Sequence, residues 1–127
     1  MFRKSAITLL AGGQARRMGG GDKNLIELAG KPVLRHVLDR VDFANRPIML
    51  NANGDPARYA DFGLPVCADV IDGYAGPLAG ILTGLEWVVA NQADCTHMVS
   101  LATDAPFLPI DLIARLEFGL DDGADIA

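Results

Sequence analysis

Short apolar runs without a polar face recur along the chain, at residues 5–11, 47–50, 65–68 and 97–102. Strands buried inside a parallel sheet show this pattern, because neither of their faces meets water. We therefore predict four main strands at these positions. A shorter strand is predicted at residues 25–28, and the last residues, 124–127, resemble the beginning of one more strand.

Between these runs, apolar residues recur at the three- and four-residue spacing of amphipathic helices. One helix is predicted from Lys31 and Pro32 to about Phe43, since proline suits a first helical turn. Its apolar stripe comprises Val33, Leu34, Val37, Leu38 and Val41. A longer helix is predicted at 76–91, with a buried stripe made of Leu78, Ile81, Leu82, Leu85 and Val89. Shorter helices are predicted at 56–62 and 109–119.

The alternation of buried strands with amphipathic helices predicts the fold class. We expect an α/β, doubly wound domain with a mostly parallel sheet and helices on both faces. The 127 residues suit a single domain, 1–127, with a core of its own. The sequence stops where a strand is predicted to begin, and without that strand the sheet would lose its edge. We therefore expect that this chain is the N-terminal part of a longer domain.

Charge and cysteine content narrow the function classes. The formal net charge of -5 argues against nucleic acid or an anionic membrane as the main partner. Basic residues nevertheless crowd the N-terminal stretch, so a local anion site remains open there; they are Arg3, Lys4, Arg16, Arg17 and Lys23. Cys67 and Cys95 have neither a disulfide framework nor metal-ligand spacing and are expected to be buried free thiols. No apolar run approaches the roughly 20 residues of a spanning helix, so we expect a cytoplasmic protein.

Polar residues follow the predicted strands at their carboxyl ends, where open α/β sheets bind ligands. A glycine-rich loop follows the first strand, and Asn51, Asp69 and Asp104 follow the other three. Asparagine and aspartate are also common turn formers, so each residue alone has a structural explanation. Their recurrence at four successive strand ends favours a ligand site.

The loop after the first strand reads LAGGQARRMGGGDK, from Leu10 to Lys23. It is not a P-loop, since no Ser or Thr follows Lys23, and it lacks the last glycine of GxGxxG, where Asn24 stands. Glycines still allow backbone N–H groups to approach phosphate oxygens, and Arg17 and Lys23 can neutralise phosphate charge. We expect the loop to cradle a nucleoside triphosphate; the alternative is a surface loop with solvated charges.

Asp104 offers a carboxylate directly after an apolar strand. A carboxylate in that position is suited to hold a Mg²⁺ ion that bridges phosphate oxygens. The alternative is a turn or helix-capping aspartate, because Pro106 favours a turn.

Five segments together resemble the molybdenum cofactor guanylyltransferases, the MobA family. The loop is similar to the family signature LAGGxSxRMGxDK, and LNAN at 50–53, GLPVCAD at 63–69, GPLAGILTGL at 76–85 and TDAPFLP at 103–109 follow in order. The signature is shared by many nucleotidyltransferases. Gly13 after Gly12, together with LNAN and GPLAGI, indicates this family rather than its cytidylyl-transferring relatives, which usually have LAAG. Family members commonly have Cys where Thr103 stands here.

The resemblance assigns roles to individual residues. The nucleotide-binding residues that it implies are Leu10, Ala11, Gly12, Gly13, Lys23, Asn51, Asp69 and Asp104. Asn51 and Asp69 would hold the base or ribose, Lys23 would bind phosphate, and Asp104 would ligate Mg²⁺. The implied catalytic residues are Arg17, Lys23 and Asp104.

The resemblance also implies a reaction, the transfer of GMP from GTP to molybdenum-molybdopterin with Mg²⁺ as cofactor and release of pyrophosphate. We expect a monomer that contacts molybdoenzymes or cofactor-assembly proteins transiently. Family members are longer than this chain, so we expect it to bind GTP–Mg²⁺ but to form the dinucleotide weakly. Two alternatives stay open: a nucleotidyltransferase acting with CTP or on a sugar phosphate, and a non-catalytic nucleotide-binding module that assists a partner enzyme.

Overall fold

A computed structural model describes residues 5–11, 25–41, 46–70, 77–103, 109 and 112–121. Within these ranges the chain forms six strands, three α-helices and one 3-10 helix. In chain order they are β1 (Ser5–Leu10), β2 (Glu27–Leu28), β3 (Lys31–Pro32), α1 (Val33–Arg40), β4 (Ile48–Asn51), the 3-10 helix (Pro56–Phe62), β5 (Val66–Cys67), α2 (Pro77–Asn91), β6 (His97–Ala102) and α3 (Leu112–Asp121).

The central sheet has four strands in the order β5-β4-β1-β6, and all neighbouring pairs are parallel. The chain therefore winds outward from β1 through β4 to β5, and then returns to place β6 on the other side of β1. In such sheets the carboxyl ends of the strands at this reversal form the crevice in which ligands bind. The prediction of a doubly wound, mostly parallel sheet is confirmed.

One face of the sheet carries large apolar side chains, and we call it the apolar face. Its residues are Ile7, Leu9, Ile48, Leu50, Val99 and Leu101. They form one buried cluster with side chains of α1, the 3-10 helix and α3. On α1 the predicted stripe is confirmed for Leu34, Val37, Leu38 and Val41, all of which are buried. The helix is shorter than predicted, because the backbone is already extended at Val41 (φ −97°, ψ 124°).

The opposite face is covered by α2, and we call it the α2 face; its residues are Thr8, Leu10, Asn51 and Met98. The prediction that leucines of α2 are buried was wrong. Leu78, Leu82, Leu85 and Val89 are exposed, and Ala79, Gly80, Thr83, Gly84 and Val88 are buried instead. The small residues let the helix approach the sheet closely, which turns the leucine stripe outward. Helices are therefore present on both faces, as predicted.

Lys31 and Pro32 do not begin the helix, contrary to prediction. They form β3 and pair antiparallel with β2 through a two-residue turn at Ala29 and Gly30. Both turn residues have positive φ, 54° and 86°, as tight hairpin turns require. Pro32 is instead the N-cap of α1.

The remaining elements agree with prediction to different degrees. The 3-10 helix and β6 have the predicted bounds, whereas β2 and β5 are shorter and α3 begins and ends later. The strand predicted at 124–127 lies outside the described residues. None of the helices in the described ranges combines the length and apolar content needed to span a membrane.

Candidate functional site

The carboxyl ends of β1, β4 and β5 lie side by side and bring predicted binding residues together. Leu10 pairs with Asn51, and Asn51 pairs with Cys67 on the next strand. The backbone N–H of Ala11 donates to the carbonyl oxygen of Asn51 at 2.8 Å. Asp69 lies two residues after the end of β5, at the same edge of the sheet. Four residues predicted from strand ends or family resemblance therefore belong to one continuous edge.

Asn51 and Asp69 are joined by a side-chain hydrogen bond. Nδ2 of Asn51 donates to Oδ1 of Asp69 at 2.8 Å and to the carbonyl oxygen of Cys67 at 3.3 Å. Asn51 is only 2% exposed, whereas Asp69 is partly exposed. A buried amide thus fixes a carboxylate that solvent can reach. An ionised carboxylate only accepts hydrogen bonds, so this group suits a ligand that presents N–H or O–H donors.

Asn53 holds Asp69 from a second side, and the sequence reasoning had not singled it out. Its Nδ2 donates to Oδ2 of Asp69 at 3.0 Å, and the backbone N–H of Asp69 donates to Oδ1 of Asn53 at 2.8 Å. Arg58 in turn donates to the backbone carbonyl oxygen of Asn53. A signal was available in the sequence, because residues two apart in an extended segment direct their side chains to the same side. Asn51 and Asn53 have this spacing.

Helix α2 reaches the same edge through Gly80 and Thr83. A Cβ at Gly80 would lie 2.5 Å from Oδ1 of Asn51 and 2.8 Å from Cδ2 of Leu10, so no larger residue fits without displacing them. Oγ1 of Thr83 donates to the carbonyl oxygen of Ala79 at 2.7 Å and accepts from the N–H of the residue after Asp69 at 3.0 Å. The small residue at position 80 therefore serves close packing of helix against site.

Some predicted site residues lie outside the described residues; they are Gly12, Gly13, Arg17, Lys23 and Asp104. The described residues nevertheless include the ends of the two strands that precede these residues in the chain. Thr103 Oγ1 donates to the carbonyl oxygen of Leu10 at 3.0 Å, which joins the ends of β1 and β6. The carboxyl ends of β1 and β6 therefore lie next to each other, at the reversal of the sheet.

The described ranges contain no cluster of three or more His, Cys, Asp or Glu side chains that could hold a metal ion. A Mg²⁺ site does not require such a cluster, because the ion commonly takes one or two carboxylates together with water and phosphate oxygens. Cys67 and Cys95 are not joined by a disulfide, and each is only partly buried, whereas buried thiols were predicted. Burial raises the pKa of the Cys67 thiol, which disfavours the thiolate that a nucleophile needs.

Comparison with known proteins shows the family to which the chain belongs. A model of the MobA-like NTP transferase domain matches residues 7–127. The chain belongs to this family. A molybdenum cofactor guanylyltransferase from Rhodopseudomonas palustris (strain BisB5) is 56% identical over 120 residues, which cover 94% of this chain and 57% of that relative. The chain thus spans little more than half the length of this relative.

Solved structures share the fold at lower identity. The molybdopterin-guanine dinucleotide biosynthesis protein A of Archaeoglobus fulgidus superposes with a TM-score of 0.63 at 22% identity, covering 94% of this chain and 58% of that one. A CMP:2-keto-3-deoxy-manno-octonic acid synthetase, solved in complex with CTP, superposes with a TM-score of 0.72 at 20% identity, covering 94% and 48%. These likenesses support the nucleotidyltransferase-type fold.

Proposed function

We propose that this chain binds GTP at the edge formed by β1, β4 and β5 and takes part in the transfer of GMP to molybdenum-molybdopterin. The observation that carries the proposal is the Asn51–Asp69 pair, which lies beside Leu10 and Ala11 at the carboxyl edge of a parallel sheet. Family membership and the identity to a molybdenum cofactor guanylyltransferase support guanine as the base.

The chemistry of the pair fits a nucleoside. Asp69 is a hydrogen-bond acceptor held in place by amide donors, and both guanine and ribose present donors, as N–H groups and hydroxyls respectively. Asn51, which donates to this carboxylate, pairs with Leu10 at the end of β1, so the backbone at Leu10 and Ala11 is placed to meet the same nucleoside. The triphosphate would then extend toward the basic segment that begins after Ala11.

The glycine-rich loop from Leu10 to Lys23 would bind the phosphates. Lys23 and Arg17 would neutralise the triphosphate, and Arg17 offers two parallel donors to phosphate oxygens. Asp104 would hold Mg²⁺, which supplies charge neutralisation and orientation of the phosphates. Thr103 joins the ends of β1 and β6, the two strands that precede the glycine-rich segment and Asp104 in the chain, and this supports the assignment.

The transfer itself needs no protein nucleophile. A phosphate oxygen of the molybdopterin acceptor attacks the α-phosphorus of GTP, and a new P–O bond forms there. The bond from the α-phosphorus to the bridging oxygen breaks, and pyrophosphate leaves with the electron pair. Because the acceptor is already anionic, the residues of this chain contribute position and positive charge rather than proton abstraction.

The proposal is tested by titration calorimetry with GTP, CTP and UTP, with and without Mg²⁺. We expect GTP to bind most tightly, and Mg²⁺ to strengthen binding. Lys23→Ala should weaken GTP binding by about 1–3 kcal/mol, since it removes a charge-assisted contact to phosphate. Lys31→Ala is the matched control, because Lys31 pairs with Asp39 on the hairpin side. Tighter binding of CTP or UTP, or unchanged affinity in Lys23→Ala, would contradict the proposal.

A further inference from the structure

Asn53 and Thr83 converge on Asp69 and the residue after it from two different parts of the chain. Asn53 follows β4, and Thr83 lies on α2. We propose that both are positioning residues for nucleotide binding, and that they act by holding Asp69 rather than by touching the nucleotide. The inference rests on the proposed function, in which Asp69 binds the base or ribose.

The contacts of Asn53 determine how the carboxylate of Asp69 is turned. Asn51 donates to Oδ1 at 2.8 Å and Asn53 donates to Oδ2 at 3.0 Å, so the two oxygens are held by different amides. The return bond from the Asp69 N–H to Oδ1 of Asn53, at 2.8 Å, ties the backbone to the same side chain. Each carboxylate oxygen has two lone pairs, so one on each oxygen remains for the ligand.

The hydroxyl of Thr83 holds the backbone immediately after the carboxylate. It is buried, accepts from the N–H of Val70 at 3.0 Å, and donates to the carbonyl oxygen of Ala79 at 2.7 Å. The side chain of Val70 is about half exposed, so packing contributes little to fixing this segment. The hydrogen bond to Thr83 therefore sets the distance between α2 and the Asp69 backbone.

A positioning role and a general structural role predict different results. Asn53 is exposed, so its loss should cost the folded state little. If it acts through Asp69, its loss should instead weaken the ligand contact that Asp69 makes. The effects should also vanish once Asp69 itself is altered, because residues that act as a unit are not additive.

The experiment measures GTP affinity by calorimetry for Asn53→Ala, Thr83→Val and Asp69→Asn, each alone and with the first two combined with Asp69→Asn. We expect Asn53→Ala and Thr83→Val to weaken GTP binding about 3- to 10-fold, the effect of one or two lost hydrogen bonds. Asp69→Asn should weaken it at least about 10-fold, because one of the two accepting oxygens becomes an NH2 group, which cannot accept from Asn51 or Asn53. In the Asp69→Asn background the other two changes should cause no further loss.

Two controls separate positioning from folding. Thr83→Ser keeps the hydroxyl and should restore the affinity of the unaltered chain. Thr96→Val removes a hydroxyl directly before the amino end of β6, at the opposite edge of the sheet from the candidate site, and should leave GTP affinity unchanged. Thermal unfolding of every variant is recorded alongside.

The possible results distinguish this inference from the proposed function. Unchanged affinity in Asp69→Asn, or no GTP binding by the unaltered chain, would overturn both. A loss in Asp69→Asn, combined with normal binding by Asn53→Ala and Thr83→Val, would overturn the positioning inference alone. Losses that add fully to that of Asp69→Asn would also overturn it.

Discussion

The two faces of the central sheet differ in how their side chains pack against the helices that cover them. The apolar face is packed with large aliphatic side chains against α1, the 3-10 helix and α3. The α2 face carries Thr8 and Asn51, and the helix that covers it approaches through glycines. The first face derives stability from the area that it removes from water. On the second, α2 has glycines at the contact, and their small size lets the helix lie close to the candidate site.

This difference predicts which substitutions affect stability alone and which affect binding. A change on the apolar face should leave Asp69 in place, because Asp69 is bonded to Asn51, whose side chain belongs to the α2 face. On the α2 face a methyl group added at Gly80 meets Asn51 and Leu10, which belong to the site.

The largest expected effect is on the apolar face. Leu9 is fully buried at the centre of its cluster, so Leu9→Ala should lower the free energy of unfolding by about 2–5 kcal/mol through lost burial and the cavity left behind. GTP affinity of the folded protein should be unchanged. Leu78→Ala is the control, because this side chain is 74% exposed and its loss should change stability by less than about 0.5 kcal/mol. Urea unfolding measures the stability of both variants, and an equal loss of stability in Leu9→Ala and Leu78→Ala would contradict the prediction.

A smaller effect is expected from two glycines of α2 that differ in their neighbours. Alanine at either position gains about 1 kcal/mol in helix propensity but costs about 1–3 kcal/mol through overpacking. In Gly80→Ala the new Cβ meets Oδ1 of Asn51, which is buried and cannot yield without loosening its bond to Asp69. GTP affinity should therefore fall about 10-fold.

Gly84→Ala is the matched change one turn further along the helix. Its Cβ would meet Thr8 and Met98 rather than Asn51, so stability should fall while GTP affinity of the folded protein is retained. Calorimetric titration measures the GTP affinity of both variants, and urea unfolding measures their stability. Equal loss of affinity at the two positions would show that the α2 face responds as a whole, and not through Asn51.

The smallest effect is expected from the ion pair between Lys31 and Asp39 beside α1. The hydrogen bond from Lys31 lowers the pKa of Asp39 below its usual 3.8. The stabilisation is therefore present above that pH and is lost as pH falls through the lowered pKa of the folded state. Both side chains are exposed, so Asp39→Asn should lower stability at pH 7 by less than about 0.5 kcal/mol. Urea unfolding from pH 7 down to about 3 should show the difference shrinking; a difference independent of pH would contradict it.

The sequence predicted the apolar face more reliably than the α2 face. Elements with a single strong pattern, such as β6 and the buried stripe of α1, were found where predicted. On α2 the helical period was correct, but the period does not tell which of two stripes is buried. Gly80 and Gly84 decide this, because they permit a close approach that leucine would prevent. Lys31 and Pro32 were misassigned because a hairpin turn can place proline in a strand directly before a helix.

The candidate site was predictable where it depends on topology. Parallel strands bring their carboxyl ends to one edge, so the proximity of Asn51 and Asp69 follows from the strand order. The contacts of Asn53 and Thr83 were not predicted, since they depend on how closely α2 and the segment after β4 approach Asp69. Such distances arise from tertiary packing, which a hydrophobic period does not encode.

The most direct test of the account is a ¹H–¹⁵N correlation spectrum followed through a GTP titration. If GTP binds at the carboxyl edge of β1, β4 and β5, the largest shifts should occur at the backbone amides of Ala11 and Asp69 and at the side-chain amide of Asn51. Amides of Leu34 and Leu38, on the helix over the apolar face, should shift little. Saturable shifts confined to the apolar face, with the signals of Asn51 and Asp69 unmoved, would contradict GTP binding at this edge.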